Sequence, residues 1–222
     1  MPATLNLEPI LGFLDELSQH NDKPWFDAHR PAYETARKTF EQFINGLIDE
    51  FRVSDDLQSL SARDCIARIY RDIRFSRDKS PYKTNLAANI APGGWRATRI
   101  GYYISIGPQG QSMVGGGLHE PTPEQLDRFR QAISADAAVF KKLTRTRAFV
   151  EAFGAVEGDR LKTAPKGYDH THPEIELLQL KQIMAVHQFT QPEVLDRDFA
   201  GRVVTLCRTM RPFLDYLNGF VE

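Results

Sequence analysis

The chain is poor in cysteine: 222 residues include only Cys65 and Cys207, in apolar surroundings and without paired spacing. Neither a disulfide framework nor a zinc ribbon is expected from them, and both read as buried thiols. Long apolar runs are also missing. None approaches the roughly 18 to 20 residues that a membrane helix needs, so no membrane partner is expected. The opening residues, Met1-Pro2-Ala3-Thr4-Leu5-Asn6-Leu7-Glu8, show no basic stretch followed by an apolar one. That pattern predicts no secretory signal and a cytoplasmic location. An excess of either charge is lacking as well: 28 basic and 29 acidic side chains give a net charge of -1. This removes any global electrostatic argument for nucleic acid or a membrane surface.

What is present is an ordinary globular composition, 41% hydrophobic and 26% charged, which excludes a disordered or fibrous chain. The length suits one larger domain, expected to be helical over 1–60, strand-rich over 61–120 and helical with loops over 121–222. Ile10, Leu11, Leu14 and Leu17 repeat at helical spacing; Asp22 then offers a cap and Pro24 opens the next helix. Trp25 and Phe26 read as a hydrophobic anchor at that helix entry. From about Ala32 a longer helix carries Tyr33, Ala36, Phe40, Phe43, Ile44, Leu47 and Phe51 on one stripe.

Between Ser61 and Glu120 the period shifts toward two. Strands are predicted over Cys65–Tyr70, Asn85–Ala91, Ile100–Ile106 and Gln111–Leu118, with short turns that favour antiparallel pairing. Thr122-Pro123-Glu124-Gln125 is a capping box, followed by an apolar face of Leu126, Phe129 and Ile133 and a second helical stretch through Phe140 and Leu143. Leu177, Leu178, Leu180 and Ile183 predict a helix of moderate length, Ala185–Phe189 a short strand, and Val203–Phe220 a terminal helix bent by Pro212. The expected class is α+β: a mainly antiparallel sheet of about four to five strands, helices packed on it, and helices at both ends.

Charge is concentrated in one place. From Arg63 to Lys83, seven basic residues face three acids, a local balance of +4 that leaves -5 for the rest of the chain. Arginine forks and lysine point charges together suit phosphate or carboxylate recognition. The candidate ligand-binding residues here are Arg68, Arg71, Arg74, Lys79, Tyr82 and Lys83, with Tyr70, Phe75 and Tyr82 as stacking surfaces. The competing reading is internal, since arginines alternating with aspartates can satisfy one another as a salt-bridge network. Strand alternation places Arg68 and Tyr70 on one face and Ala67, Ile69 and Arg71 on the other.

A second basic loop runs from Leu161 to Pro173, and Lys166 and Tyr168 there, with Lys181 beyond it, complete the candidate ligand set. Pro165-Lys166-Gly167 reads as a tight turn with Gly167 at positive φ. His170 and His172 lack a third ligand at a diagnostic spacing, so no metal site is expected. Gly115-Gly116-Gly117 lacks the G-x-x-x-x-G-K-[ST] spacing and reads as a bulged strand end serving close packing. No catalytic group is identified. Ser76, Ser80 and Cys65 have no recognisable base, Asp72 and Asp78 sit among arginines, and His119 with Glu120 reads as exposed surface. No cofactor is indicated.

The entry at Asn21 with Trp25-Phe26, the Arg68-to-Lys83 segment with Asn85, Gly115-Gly116-Gly117 with Pro121, and Leu161 to Pro173 together resemble a bacterial and fungal family, domain of unknown function 2461. The resemblance runs through nearly the whole chain, and the string from Arg71-Asp72 through Asp78-Lys79 to Pro81-Tyr82-Lys83 is its most specific part. At His119 family members more often carry an aromatic residue, which speaks against a general role there. The resemblance implies no activity and no catalytic residues. The residues themselves point to a cationic pocket for a phosphorylated or other anionic small ligand, and an enzyme acting on that ligand would be a phosphate-ester or nucleotide hydrolase or transferase. The alternatives are a nucleic-acid-binding module and a structural or interaction protein whose arginines and aspartates pair internally.

Overall fold

A computed structural model describes residues 5–57 and 59–221. Met1 to Thr4, part of the stretch read for a secretory signal, lie outside the described residues. The architecture is α+β, with a four-stranded antiparallel sheet in the order β1-β2-β3-β4: β1 Leu86–Ile90, β2 Tyr102–Ile106, β3 Met113–Leu118 and β4 Ile183–Gln188. Among the described residues no helix is long and apolar enough to cross a membrane. The chain divides into two compact units, one of residues 1–97, 102–114 and 188–205, the other of residues 98–101, 115–187 and 206–222.

The first unit begins with α1 (Glu8–Gln19), which buries Ile10, Leu11, Phe13, Leu14 and Leu17, the helical stripe expected from their spacing. α2 (Lys23–Ala28) starts where the Asp22 carboxylate accepts the Trp25 N–H at 2.9 Å. α3 (Arg30–Phe51) buries Ala36, Phe40, Phe43, Ile44, Leu47, Ile48 and Phe51. Its last buried ring, Phe51, lies 5.0 Å from that of Tyr102 on β2. The β1–β2 register explains the two faces of this hairpin. Leu86 opposes Ile106, Ala88 opposes Ile104 and Ile90 opposes Tyr102, all buried, whereas Ala87 opposes Ser105 and Asn89 opposes Tyr103 on the other side. One face therefore joins the core and the other carries hydrogen-bonding groups. The short α9 (Gln191–Val194) lies in the same unit.

The expected strand over Cys65–Tyr70 is replaced by a helical turn and two isolated bridges. Ser61 and Asp64 form a capping box that starts α4 (Ala62–Cys65), after which Ile66 bridges Ala88 and Tyr70 bridges Tyr82. The local cap wins over the weak alternation. The faces nevertheless fall as alternation requires, with Ala67 and Ile69 buried and Arg68 and Tyr70 exposed.

The second unit contains α5 (Pro123–Ala135), α6 (Ala138–Thr144), α7 (Arg147–Phe153) and α8 (Ile175–Leu178). α5 begins at the expected box, with the Thr122 N–H donating to Gln125 Oε1 at 2.9 Å and the Gln125 N–H to Thr122 Oγ1 at 3.3 Å. Its core is aromatic: the ring of Phe140 lies 5.4 Å from Phe129 and 6.1 Å from Phe213, which is 5.5 Å from Phe149. The helix expected across Leu177 to Ile183 is only the four residues of α8. Arg130 donates to the carbonyls of Leu178 at 2.8 Å and Leu180 at 3.3 Å, Leu180 bridges Arg160, and the chain then leaves for β4. α10 (Phe199–Asn218) contains Pro212 and begins four residues before the expected terminal helix. Gly115, Gly116 and Gly117 directly precede Leu118, the last residue of β3, at the expected end of the strand. A Cβ on Gly116 would come within 2.9 Å of the Gly101 carbonyl, and one on Gly117, at φ +140, would overlap the carbonyl of Ile183. Close packing is what the glycines permit.

Candidate functional site

The basic segment is an arm of the first unit. Residues 66–71 run beside 81–88: Ala67 N–H donates to Ala87 O at 2.8 Å, Lys83 N–H to Ile69 O at 2.8 Å, and Arg71 N–H to Pro81 O at 2.9 Å. Asn21 anchors the returning limb. Its Nδ2 donates to the Tyr82 carbonyl at 2.9 Å and its Oδ1 accepts the Tyr82 N–H at 3.0 Å. The Tyr82 ring is buried and stacks on Phe26 at 4.0 Å, so Phe26 anchors more than the helix entry. Burial raises the Tyr82 phenol above its ordinary value.

The loop from Asp72 to Ser80 satisfies most of its own charges. Arg71 pairs with Asp78 and donates to the Ser80 carbonyl at 3.1 Å and Ser76 Oγ at 3.4 Å. Arg74 grips Asp72 with two bonds, Nε at 3.0 Å and Nη2 at 2.6 Å, and Lys79 donates to the Ile73 carbonyl at 2.9 Å. The Arg74 bonds draw the Asp72 carboxyl down to about 2. Hydrogen bonds from Ser80, with help from Arg71, hold Asp78 at about 2. These three cations behave as the internal network requires.

Lys83 is in a different situation. It is half-buried, and its ammonium has neither a hydrogen bond nor an ion pair among the described residues. Its Nζ stands 5.6 Å from the centre of the Trp95 ring. Burial, and then repulsion from Arg68, lower its pKa below the ordinary lysine value. Arg68 and Arg77 likewise have no ion pair among the described residues. Lys83 lines a cavity of about 410 Å³ together with Asn21, Arg71, Asp78, Thr84, Asn85 and Gln111, the Asp78 carboxylate there being held by Arg71 and Ser80.

The neutral groups of the cavity are held by one another. Thr84 Oγ1 donates to Gln111 Oε1 at 3.1 Å, Asn85 Nδ2 to Ser105 Oγ at 2.8 Å, and Ser105 Oγ to the Gln111 carbonyl at 2.8 Å. Burial pushes the nearby Tyr103 phenol up, against hydrogen bonds with Asn85 and Ser105. The turn that presents Gln111 uses Gln109 and Gly110 at φ +55 and +80, closed by Gln111 N–H to Pro108 O at 3.1 Å. A fixed amide and hydroxyl floor beside an uncompensated ammonium can receive an anion that also bears hydrogen-bonding groups.

The chain matches, over residues 9–216, the family described as "Conserved hypothetical protein (DUF2461)". It belongs to that family. No curated protein and no solved structure matches it. The matched stretch of this DUF2461 chain includes every residue that lines the cavity.

Of the residues singled out from sequence, Arg71, Tyr82 and Lys83 line this cavity, and Arg68, Arg74 and Lys79 do not. Lys166, Tyr168 and Lys181 belong to the second unit. Lys166 is exposed on the expected turn, where Gly167 has φ +89 and Tyr168 N–H donates to Pro165 O at 3.1 Å. Lys181 lies 3.6 Å from Asp159. Both nitrogens of His172 are engaged: Nδ1 accepts the Glu174 N–H at 3.0 Å, and Nε2 lies 3.0 Å from Ser134 Oγ. Among the described residues no group of three or more His, Cys, Asp or Glu side chains is arranged to hold a metal ion. Cys65 and Cys207 are buried free thiols, and burial pushes Cys65 to about 12, far from a nucleophile's range.

Sequence reasoning missed Asn21, Thr84 and Gln111 as cavity residues and weighed Asn85 only through the family resemblance. For Asn85 a signal exists: Lys83, Asn85 and Asn89 recur at the period of two that puts them on the face opposite Leu86, Ala88 and Ile90.

Proposed function

We propose that this DUF2461 protein binds a small phosphorylated or otherwise anionic ligand in the cavity of its first unit, with Lys83 as the counter-charge. The observation that carries the reading is the half-buried Lys83 ammonium without a carboxylate. Burying an unpaired charge opposes folding, so a group kept in that state is poised for an anion supplied from outside. Arg68 adds positive potential from outside the hydrogen-bonding shell, while the Asn85 and Gln111 amide N–H groups offer hydrogen bonds to ligand oxygens and the Thr84 hydroxyl holds Gln111 in place. Arg71 stays with Asp78 and forms part of the wall. Two buried free thiols accord with a cytoplasmic setting for this binding.

The test is thermal stability of the purified protein against phosphate, pyrophosphate, nucleotides and sugar phosphates, for the wild type and Lys83→Met. A ligand at one hundred times its Kd stabilises the folded state by about 2.7 kcal/mol. The expected outcome is a saturable rise in Tm for at least one compound in the wild type and none in the variant. An equal rise in both, or no rise with any compound, overturns the reading.

A further inference from the structure

Exposed aromatic rings are confined to one region of the molecule. Among the described residues only Tyr70, Phe75 and Trp95 are exposed, at 49%, 95% and 41%; every other described Phe, Tyr and Trp is buried or half-buried. All three belong to the first unit, Tyr70 and Phe75 within the basic segment and Trp95 beyond it, facing Lys83. Two are already faced by cations: Arg74 lies 5.9 Å from the centre of the Phe75 ring, and Lys83 5.6 Å from that of Trp95. Tyr70 is exposed beside Arg68, two residues earlier. Leaving a phenylalanine almost wholly in water has no packing benefit, and the loop that carries it is already closed by the Arg71–Asp78, Arg74–Asp72 and Lys79–Ile73 contacts.

Exposed flat rings beside cations form a surface on which unstacked bases and their phosphates are held together; the ammonium at Trp95 is without an ion pair, and the guanidinium at Phe75 is shared with Asp72. We propose that the anion taken by Lys83 is a phosphate of a short single-stranded nucleic acid, whose bases stack on Trp95 and Phe75. This rests on the anion-site reading above and names its ligand. The charge available fits. Arg68, Arg77 and Lys83 are the cations of the segment without a direct ion pair among the described residues, the Arg68 charge also acting on Asp72, enough for about three phosphates, and a chain of net charge -1 adds no general attraction. A duplex hides the base faces that these rings would meet. A lipid surface is the poorer match, because the loop offers only Phe75 and a half-buried Ile73 as apolar groups to insert.

The experiment is fluorescence anisotropy of a labelled short oligothymidylate with the wild type, Phe75→Ala and Lys83→Met. Thymidine monophosphate, the matching duplex and vesicles of anionic phospholipid serve as competitors, and the thermal shift by pyrophosphate is read in parallel. Because Phe75 is exposed, Phe75→Ala keeps the wild-type Tm. It is expected to weaken oligothymidylate binding roughly tenfold, and Lys83→Met to abolish it. Log affinity should fall against log salt with a slope of about -2, as three phosphate contacts require. Oligonucleotide bound no better than the monophosphate, with no loss in Phe75→Ala, overturns this inference and leaves the anion site standing if pyrophosphate still shifts Tm through Lys83. No binding of oligonucleotide, monophosphate or pyrophosphate overturns both. Binding to the anionic vesicles with no binding of oligothymidylate overturns it in favour of a membrane surface.

Discussion

Two stretches of this chain gather cations, Arg68 to Lys83 in the first unit and Lys162 to Lys181 in the second, and the chemistry around them differs. In the second stretch Lys181 has Asp159, both His172 nitrogens are engaged, and Lys166 stands in water on a tight turn. In the first, Arg71, Arg74 and Lys79 are bound within their own loop, but Lys83 is half-buried without an ion pair, in a cavity whose carboxylate, Asp78, is held by Arg71 and Ser80. A count of positive charges does not distinguish the two. What does is whether a cation is withdrawn from water without a partner, because only then does an incoming anion recover a large electrostatic term.

The comparison breaks most sharply on Lys83. Lys83→Met should abolish every anion-induced rise in Tm and leave the ligand-free protein at least as stable as the wild type, since it removes an uncompensated charge and its repulsion from Arg68. Lys166→Ala should leave the anion response intact, and a loss there would erase the distinction. Anion affinity should also fall as pH rises through the lowered pKa of Lys83, before the ordinary 10.5, because the neutral amine has no charge to offer. The ligand-free folded state gains stability over the same interval, since the penalty of a charged Lys83 is lifted there.

Smaller effects sharpen the contrast within the arm. Asn21→Ala removes both bonds to the Tyr82 backbone and should lower unfolding free energy by about 2 kcal/mol in urea titration. Arg71→Ala should lower it by about 1 kcal/mol, because its side chain is 26% exposed and leaves the Ser80 carbonyl without its guanidinium donor. Arg74→Ala, at 76% exposure, should leave Tm unchanged within error. Asp72 and Asp78, held at about 2, contribute a little stability above their ordinary 3.8. That contribution is lost as pH falls toward 2, and a wild-type acid titration compared with Asp72→Asn reads it.

Much of the fold was legible because its signals are local. The stripe of α1, the Asp22 and Thr122 caps and the positive φ of Gly167 each depend on residues within a few positions of one another. The division of Arg68 from Ile69 followed from alternation even where no full strand formed. Other features rest on partners remote in sequence. Arg130 stops α8 from 48 residues away, and Asn21 binds Tyr82 across 61 residues. The contrast between Arg71 and Lys83 was illegible for the same reason. Asp78 folds back onto one, no carboxylate reaches the other, and the neutral Thr84, Asn85 and Gln111 that complete the cavity carry no charge pattern to mark them.

The proposed anion site stands or falls on Lys83, a half-buried ammonium without an ion pair. Carbon NMR of the lysine ε positions, with Lys83 assigned by its loss in Lys83→Met, follows its titration with and without pyrophosphate. The account predicts a Lys83 pKa below 10.5 that rises when pyrophosphate is added. A Lys83 that titrates at 10.5 and does not respond to pyrophosphate would contradict it.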